Sequence, residues 1–130
     1  MEITVKEFQY VDLIAISGRV DSVVASRLAQ ALEAANDRGK YKIVIDMSQL
    51  EHMSSAGFRA LGDAQRNSKR HNGGEVMLTQ VPENIREALD LVGFTEYFRI
   101  FDSVTSAFEY ADNLPADDST TTSPLPSTEN

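Results

Sequence analysis

The stretch 41–61, YKIVIDMSQLEHMSSAGFRAL, constrains the fold of this chain more than any other segment. It opens with Ile43-Val44-Ile45, and consecutive β-branched residues are typical of a strand that is buried on both faces. Asp46 ends the apolar run, and a polar connection leads to Ser54-Ser55 and then to a helical pattern with Phe58, Leu61 and Ala64 on one side. A doubly buried strand that leads into a helix predicts a largely parallel sheet covered by helices.

The remaining segments repeat this alternation of strands and helices. Apolar patterns predict strands at 2–8, 11–17, 75–80 and, briefly, 99–101, and helices over about 22–38, 82–92 and 104–111. The predicted order is β-β-α-β-α-β-α-(β)-α. The sequence therefore predicts the α/β class, with a mixed, mostly parallel four- to five-stranded sheet packed against about four helices. The N-terminal strand is expected to pair antiparallel at or near an edge.

Local signals place the ends of these elements. Ser17-Gly18-Arg19 is expected to be a turn, and Asp21 or Ser22 to cap the first helix. The segment Met47–Ser55 is expected to be a loop after the central strand. Since ligands and partners of such sheets meet the carboxyl ends of parallel strands, this loop is the expected functional site.

Three apolar or aromatic groups are expected to complete the core. In the helix that Val81-Pro82-Glu83 opens, four residues are expected to share one buried face: Ile85, Ala88, Leu89 and Val92. The segment Phe94–Phe98 is expected to be a connection that packs on the core and not a cofactor site. The last helix, capped by Asp102 or Ser103, is expected to bury Val104, Ala107, Phe108 and Ala111.

Composition limits the function classes. The formal net charge of −8 argues against direct nucleic-acid binding, which needs clustered Lys and Arg. The absence of cysteine excludes disulfides and thiolate metal sites. No window holds the roughly 20 apolar residues of a membrane span, and the N-terminus does not have the pattern of a signal peptide. We therefore expect a cytoplasmic protein without membrane insertion.

The domain is expected to cover residues 1–112. From residue 113 the composition changes to NLPADDSTTTSPLPSTEN, which is rich in Pro, Ser, Thr and acidic residues. This composition predicts that 113–130 form a disordered tail.

The sequence does not predict an enzyme. The S-S-A-G motif differs from the G-x-S-x-G elbow of serine hydrolases, and His52 and His71 are the only two histidines. His52 belongs to the same predicted turn as Ser55, so it is expected to be an exposed loop residue and not a catalytic base. No HExxH, Walker or GxGxxG motif occurs, and we expect no cofactor and no metal.

The serine pair has two compatible interpretations. Serine is a preferred N-cap residue, and a cap contributes about 1 kcal/mol of stability. Alternatively, one of the hydroxyls is modified or contacts a partner. The small Ala56 and Gly57 favour the second interpretation, because they allow close approach of another backbone.

The chain resembles the STAS domain family, in particular the bacterial anti-sigma factor antagonists, over about residues 2–112. The resemblance is carried by the apolar strand with its D-x-S-x-L turn, Ile43–Leu50, by the helix start Met53–Arg59, and by the turn Gly18-Arg19-Val20-Asp21. It implies that Ser55 is phosphorylated by an anti-sigma factor with serine kinase activity, with Ser54 as the fallback position, and that a serine phosphatase reverses this. The partner-binding residues it implies are Asp21, Met53, Ser54, Ser55, Ala56, Gly57 and Arg59.

Two positions depart from the family pattern. Met53 stands where many regulated members have Asp, and Ala56 replaces a common Gly. The alternative is therefore a non-switched STAS adaptor or scaffold subunit of a signalling or transporter complex. A small nucleotide-binding or hydrolytic enzyme has little support from any motif.

Overall fold

A computed structural model describes residues 3–115, which form one mixed five-stranded sheet and four helices. The strands are β1 Ile3–Glu7, β2 Val11–Val20, β3 Lys42–Met53, β4 Glu75–Thr79 and β5 Ile100–Phe101. The helices are α1 Ser22–Asp37, α2 Ser55–Ser68, α3 Glu83–Leu91 and α4 Val104–Asp112. The strand order is β1-β2-β3-β4-β5, with β1 antiparallel to β2 at the edge and the other pairs parallel. The predicted class, element order and edge strand are confirmed.

The sheet separates two apolar clusters. Ile43, Ile45 and Met47 of β3 face the larger cluster, which includes the buried residues of α1, α2 and α3. Val44 points to the opposite face, where it packs with Met77 and the buried alanines of α4. Because the strand order advances in one direction, crossovers of one hand place their helices on one face, and α4 covers the other. The β3 strand is therefore buried on both faces, as its β-branched sequence predicts.

The strands β2 and β3 are longer than predicted, and this corrects two expectations. Ser17-Gly18-Arg19 is not a turn, and Met47–Met53 is not a loop. Both segments continue the parallel ladder as far as the pair Val20 and Met53, with register irregularities after Ala15 and after Gly18. The irregularities add residues on β3, so its buried side chains beyond Ile45 recur every third residue, at Met47, Leu50 and Met53. A strand with one buried face normally buries every second residue, so a spacing of three residues did not indicate a strand in the sequence.

The helices begin and end at residues that favour these positions, but one residue predicted to lie on a shared face does not. Asp21 and Ser103 each cap a helix through the side chain, and Gly39 and Gly93 follow helices with φ of +83° and +79°.

Ile85 and Leu89 are buried, but Val92 is 50% exposed, so the prediction that it shares their face was wrong. Val92 is the C-cap of α3, where the backbone leaves the helical path. Phe98 is buried and Phe94 and Tyr97 pack on the core, as predicted.

Part of the predicted tail lies outside the described residues. The α4 helix ends at Asp112, and Asn113–Pro115 follow it. Residues 116–130 are not described, so the tail stays a prediction. Among residues 3–115, none of the helices has the length and apolar character that crossing a bilayer requires.

Candidate functional site

The candidate site lies where two neighbouring parallel strands end side by side. Val20 closes β2 and Met53 closes β3, and the two residues are register partners. The Ser54 amide donates to the Val20 carbonyl oxygen at 2.8 Å, which continues the ladder by one further bond. The helices α1 and α2 start directly after these strand ends and pack against each other. The carboxyl ends of β2 and β3 therefore place the N-termini of α1 and α2 side by side, as predicted for a site at the carboxyl ends of the strands.

Asp21 caps the first of these helices. Its Oδ1 accepts a hydrogen bond from the Val24 amide at 2.9 Å, and its backbone is extended, as is usual at an N-cap. The residue is exposed. Asp21 thus fixes the start of α1 and keeps its carboxylate at the surface.

Ser54 and Ser55 have different roles at the second helix. Ser54 is the N-cap: its Oγ accepts a long hydrogen bond of 3.4 Å from the Gly57 amide, and its carbonyl accepts from Gly57 and Phe58. Ser55 is the first residue of α2 and is exposed, whereas Ser54 is half-buried. Within residues 3–115, the Ser55 and Ala56 amides have no backbone acceptor, as is usual in a first helical turn. The exposed hydroxyl therefore belongs to Ser55.

Met53 and Gly57 lie below this surface and not on it. Met53 is 4% exposed. A Cβ on Gly57 would lie 2.5 Å from Met53 Cγ and 3.3 Å from Val20 Cγ1, so only glycine allows α2 to approach the end of β3 this closely. Of the seven residues predicted to bind a partner, the structure leaves Asp21, Ser55 and Arg59 exposed and Ser54 and Ala56 half-buried. Met53 and Gly57 support the surface by packing.

Arg59 is the exposed cation of this surface. It lies one helical turn after Ser55 and makes no hydrogen bond or ion pair with any residue of 3–115. Asp63, one turn further along α2, is paired instead with Arg66 at 3.0 Å. Arg59 is thus available to an anion.

The sequence did not indicate Val23 as part of the site. It is 60% exposed in the first turn of α1, between Asp21 and the buried Val24. In the sequence, Val23 lies just outside the buried face of α1, and this position was the signal that could have identified it. The name "docking surface" is used below for the exposed residues Asp21, Val23, Ser55 and Arg59.

None of the four residues of the docking surface is a histidine. His52 lies on β3, opposite Arg19 in register, and is exposed as predicted, although on a strand and not in a loop. Residues 3–115 contain no group of three His, Cys, Asp or Glu side chains that could hold a metal ion. The chemistry that the surface offers is that of an exposed hydroxyl, a carboxylate, a cation and an apolar contact.

A cleft of about 520 Å³ lies at the opposite end of the sheet, where β3 and β4 begin. Its cations are already paired: Lys40 contacts Asp12 at 3.3 Å, and Lys42 Nζ donates to the Leu114 carbonyl at 3.2 Å. Burial lowers the pKa of Lys42, while the charge of Asp112 opposes this change. Because these cations already have partners within the domain, the docking surface is the better candidate.

Residues 2–107 match the family model of the STAS domain. The chain therefore belongs to the STAS domain family, as its motifs suggested. BtrV of Bordetella bronchiseptica, whose name assigns it provisionally to the anti-sigma factor antagonists, is 28% identical over 107 residues. The match covers 82% of this chain and 91% of BtrV.

Three solved structures show the same fold. A protein of Thermotoga maritima, also provisionally called an anti-sigma factor antagonist, has a TM-score of 0.78 and 17% identity over 85% of this chain and 95% of its own. The anti-sigma factor antagonist SpoIIAA in its unphosphorylated form has a TM-score of 0.71 and 15% identity over 85% and 98% of the two chains. The phosphorylated form of SpoIIAA from Bacillus has a TM-score of 0.69 and 14% identity, over 83% and 97% of the two chains.

Proposed function

We propose that this protein is an anti-sigma factor antagonist of the cytoplasm, a binding module and not an enzyme. In its unmodified state it binds an anti-sigma factor with serine kinase activity, and phosphorylation of Ser55 ends this binding. The observation that carries the proposal is the exposed Ser55 hydroxyl at the first residue of α2, in a chain of the STAS family. Regulation of transcription is indirect, through release of the sigma factor.

The docking surface offers a partner a small area of mixed chemistry. Val23 supplies an apolar contact, and Asp21 and Arg59 supply one charge of each sign. Such a mixture fits a protein surface with a central apolar contact and a polar rim. It does not fit nucleic acid, whose phosphates require several cations together.

Phosphorylation changes this surface without requiring a change of fold. The kinase transfers the γ-phosphoryl group of ATP to Ser55 Oγ, ADP leaves, and a base of the kinase takes the hydroxyl proton. The product carries about −1.5 to −2 charges at neutral pH. The unpaired amides of Ser55 and Ala56 and the dipole of α2 favour a negative group there by about 0.3–1 kcal/mol. The similar TM-scores of both forms of SpoIIAA agree with a fold that tolerates the modification in that protein.

Loss of binding follows from contact and charge. A phosphoryl group on Ser55 is bulky, and a partner surface that fits a hydroxyl has to desolvate the phosphate without a matching cation. A serine phosphatase resets the switch by hydrolysing the phosphoester. ATP and Mg²⁺ belong to the kinase, so this chain uses no cofactor.

Phosphorylation in vitro tests the modified position. The purified protein is incubated with the candidate kinase and ATP, and the labelled residue is mapped by mass spectrometry. We expect label on Ser55, loss of label in Ser55→Ala, and retained label in Ser54→Ala. Full labelling of Ser55→Ala would refute the assignment, and label that moves with Ser54 would identify the fallback position.

Binding of the folded variants tests the switch. Ser55→Asp is expected to keep the circular dichroism spectrum and thermal transition of the wild type and to lose at least tenfold in affinity for the anti-sigma factor. Val23→Ser is expected to weaken binding several-fold without any phosphorylation. A Ser55→Asp protein that unfolds would contradict the helix-dipole argument.

One observation favours the adaptor as the second candidate function. The side chain of Met53, at the position where regulated relatives have Asp, is buried against Gly57 and supplies no charge to the kinase-facing surface. If no kinase labels Ser55 and Ser55→Asp binds the partner as tightly as the wild type, the protein is a constitutive STAS adaptor.

A further inference from the structure

The position of Arg59 on α2 suggests what happens to the phosphoryl group after transfer. Ser55 and Arg59 are four residues apart in a continuous α-helix and are both exposed. Side chains at this spacing lie on one face, with Cβ atoms about 5–6 Å apart. The long guanidinium side chain can therefore reach a phosphoryl group on Ser55.

The neighbouring charges leave Arg59 without a competing partner. Asp63 lies at the same four-residue spacing on the other side, but Arg66 holds it at 3.0 Å. The first turn of α2 contains no acidic side chain. Within residues 3–115, Arg59 therefore has no carboxylate to release before it binds a phosphate.

We propose that Arg59 is the internal counterion of phosphorylated Ser55. This inference rests on the proposed phosphorylation of Ser55. Arginine is suited to the role because its guanidinium stays charged and binds phosphate oxygens through two parallel hydrogen bonds. Unmodified, Arg59 is open to an acidic group of the partner. Phosphorylation then acts twice, since it adds a negative group to the docking surface and withdraws the exposed cation from the partner.

A titration that requires no kinase tests the pairing. Phosphoserine is incorporated at position 55 during synthesis, and the second ionisation of the phosphate is followed by ³¹P NMR. The second pKa of phosphoserine is ordinarily about 6. A paired guanidinium stabilises the dianion, so the pKa in Arg59→Gln should be higher than in the wild type by about 0.3–0.7 pH units, a two- to fivefold change in the acid constant.

Two further variants make the result specific. Arg59→Lys keeps the charge but not the two-pronged geometry, and should give an intermediate pKa. Lys69→Gln removes an exposed cation at the C-cap of α2, about 20 Å along the helix from Ser55, and should leave the pKa within about 0.1 unit of the wild type. Equal pKa values in the wild type and Arg59→Gln would overturn the proposal, as would equal shifts in Arg59→Gln and Lys69→Gln.

The outcome is independent of the switch itself. If phosphorylated Ser55 fails to bind the anti-sigma factor but its pKa does not depend on Arg59, the proposed function stands and the counterion role fails. If the pKa depends on Arg59 but no kinase modifies Ser55, the pairing is real and the proposed function fails.

Discussion

Met53 and Gly57 are in direct contact across the junction between β3 and α2. A Cβ on Gly57 would come within 2.5 Å of Met53 Cγ, and Met53 is itself buried. This contact sets how closely the first turn of α2 approaches the sheet. It thereby sets the height of the Ser55 hydroxyl above the strand end.

Gly57→Ala is expected to lower the free energy of unfolding by up to about 2 kcal/mol. Alanine is favoured in a helix by about 1 kcal/mol, but an extra carbon in a filled space costs about 1–3 kcal/mol. The double variant Gly57→Ala/Met53→Ala should show a smaller cost of the glycine substitution, measured by urea unfolding as a double-mutant cycle. A stabilised Gly57→Ala, or a cost that Met53→Ala does not change, would mean that the contact is not tight.

Ser54 and Ser55 should make different contributions to the free energy of unfolding. Ser54→Ala removes the N-cap of α2 and is expected to cost about 0.5–1 kcal/mol, at the lower end for a cap because its hydrogen bond is long. Ser55→Ala removes an exposed hydroxyl and should change the free energy of unfolding by less than about 0.5 kcal/mol. Thermal or urea unfolding of the two variants provides the comparison. The reverse order would assign the cap to Ser55 and leave Ser54 as the exposed hydroxyl.

Asp12 is a buried carboxylate that ties the start of β2 to the end of α1. Its side chain is fully buried and pairs with Arg38 and, at 3.3 Å, with Lys40. Asp12→Asn should lower the free energy of unfolding by about 3 kcal/mol, because it leaves partly buried cations without their counter-charge. The control Asp63→Asn breaks a pair whose side chains are 57–61% exposed and should cost about 0.5 kcal/mol or less. Equal costs in urea unfolding would show that burial of Asp12 is not important.

Ionisation of Tyr110 is expected to lower the stability of the domain in alkaline solution. Burial, and next its hydrogen bond to Glu75 at 2.8 Å, raise the pKa of the Tyr110 phenol above its ordinary value of 10.0, while Arg99 acts in the opposite direction. Because the folded protein holds this proton more tightly than the unfolded chain, the contribution is complete below about pH 10 and declines as the pH rises through the folded pKa. Unfolding curves of the wild type and Tyr110→Phe should therefore converge above about pH 10. A constant difference across this range would contradict the assigned pKa change.

Much of the fold follows from local patterns in the sequence. Ile43-Val44-Ile45 predicted the central strand because β-branched side chains without alternation fit a position between two helix layers. The sequence also indicated caps at Asp21 or Ser22 and at the pair Ser54-Ser55, since a polar side chain before an apolar helical stripe satisfies an amide of the first turn. These features depend on the residue and its immediate neighbours.

Other features depend on residues that are distant in the sequence. The ends of β2 and β3 are extended because each strand is the other's hydrogen-bond partner as far as Val20 and Met53. The register irregularities between them interrupt the alternation of buried and exposed residues that would have indicated strands in the sequence. Gln65 has a polar side chain, yet it is fully buried: its amide bonds to Val76 through both ends and donates a further bond to the Tyr97 carbonyl. Its four-residue spacing from Leu61 was the only local signal.

The same division holds for the candidate site. The sequence by itself limited the caps of the two helices to Asp21 or Ser22 and to the serine pair, because capping is a local competition for a few amides. Only the tertiary structure decided that α1 and α2 start side by side, that Met53 points inward beneath Gly57, and that Arg59 stays unpaired within residues 3–115. These results depend on which strands pair and on which charged side chains meet, and packing between distant segments decides both.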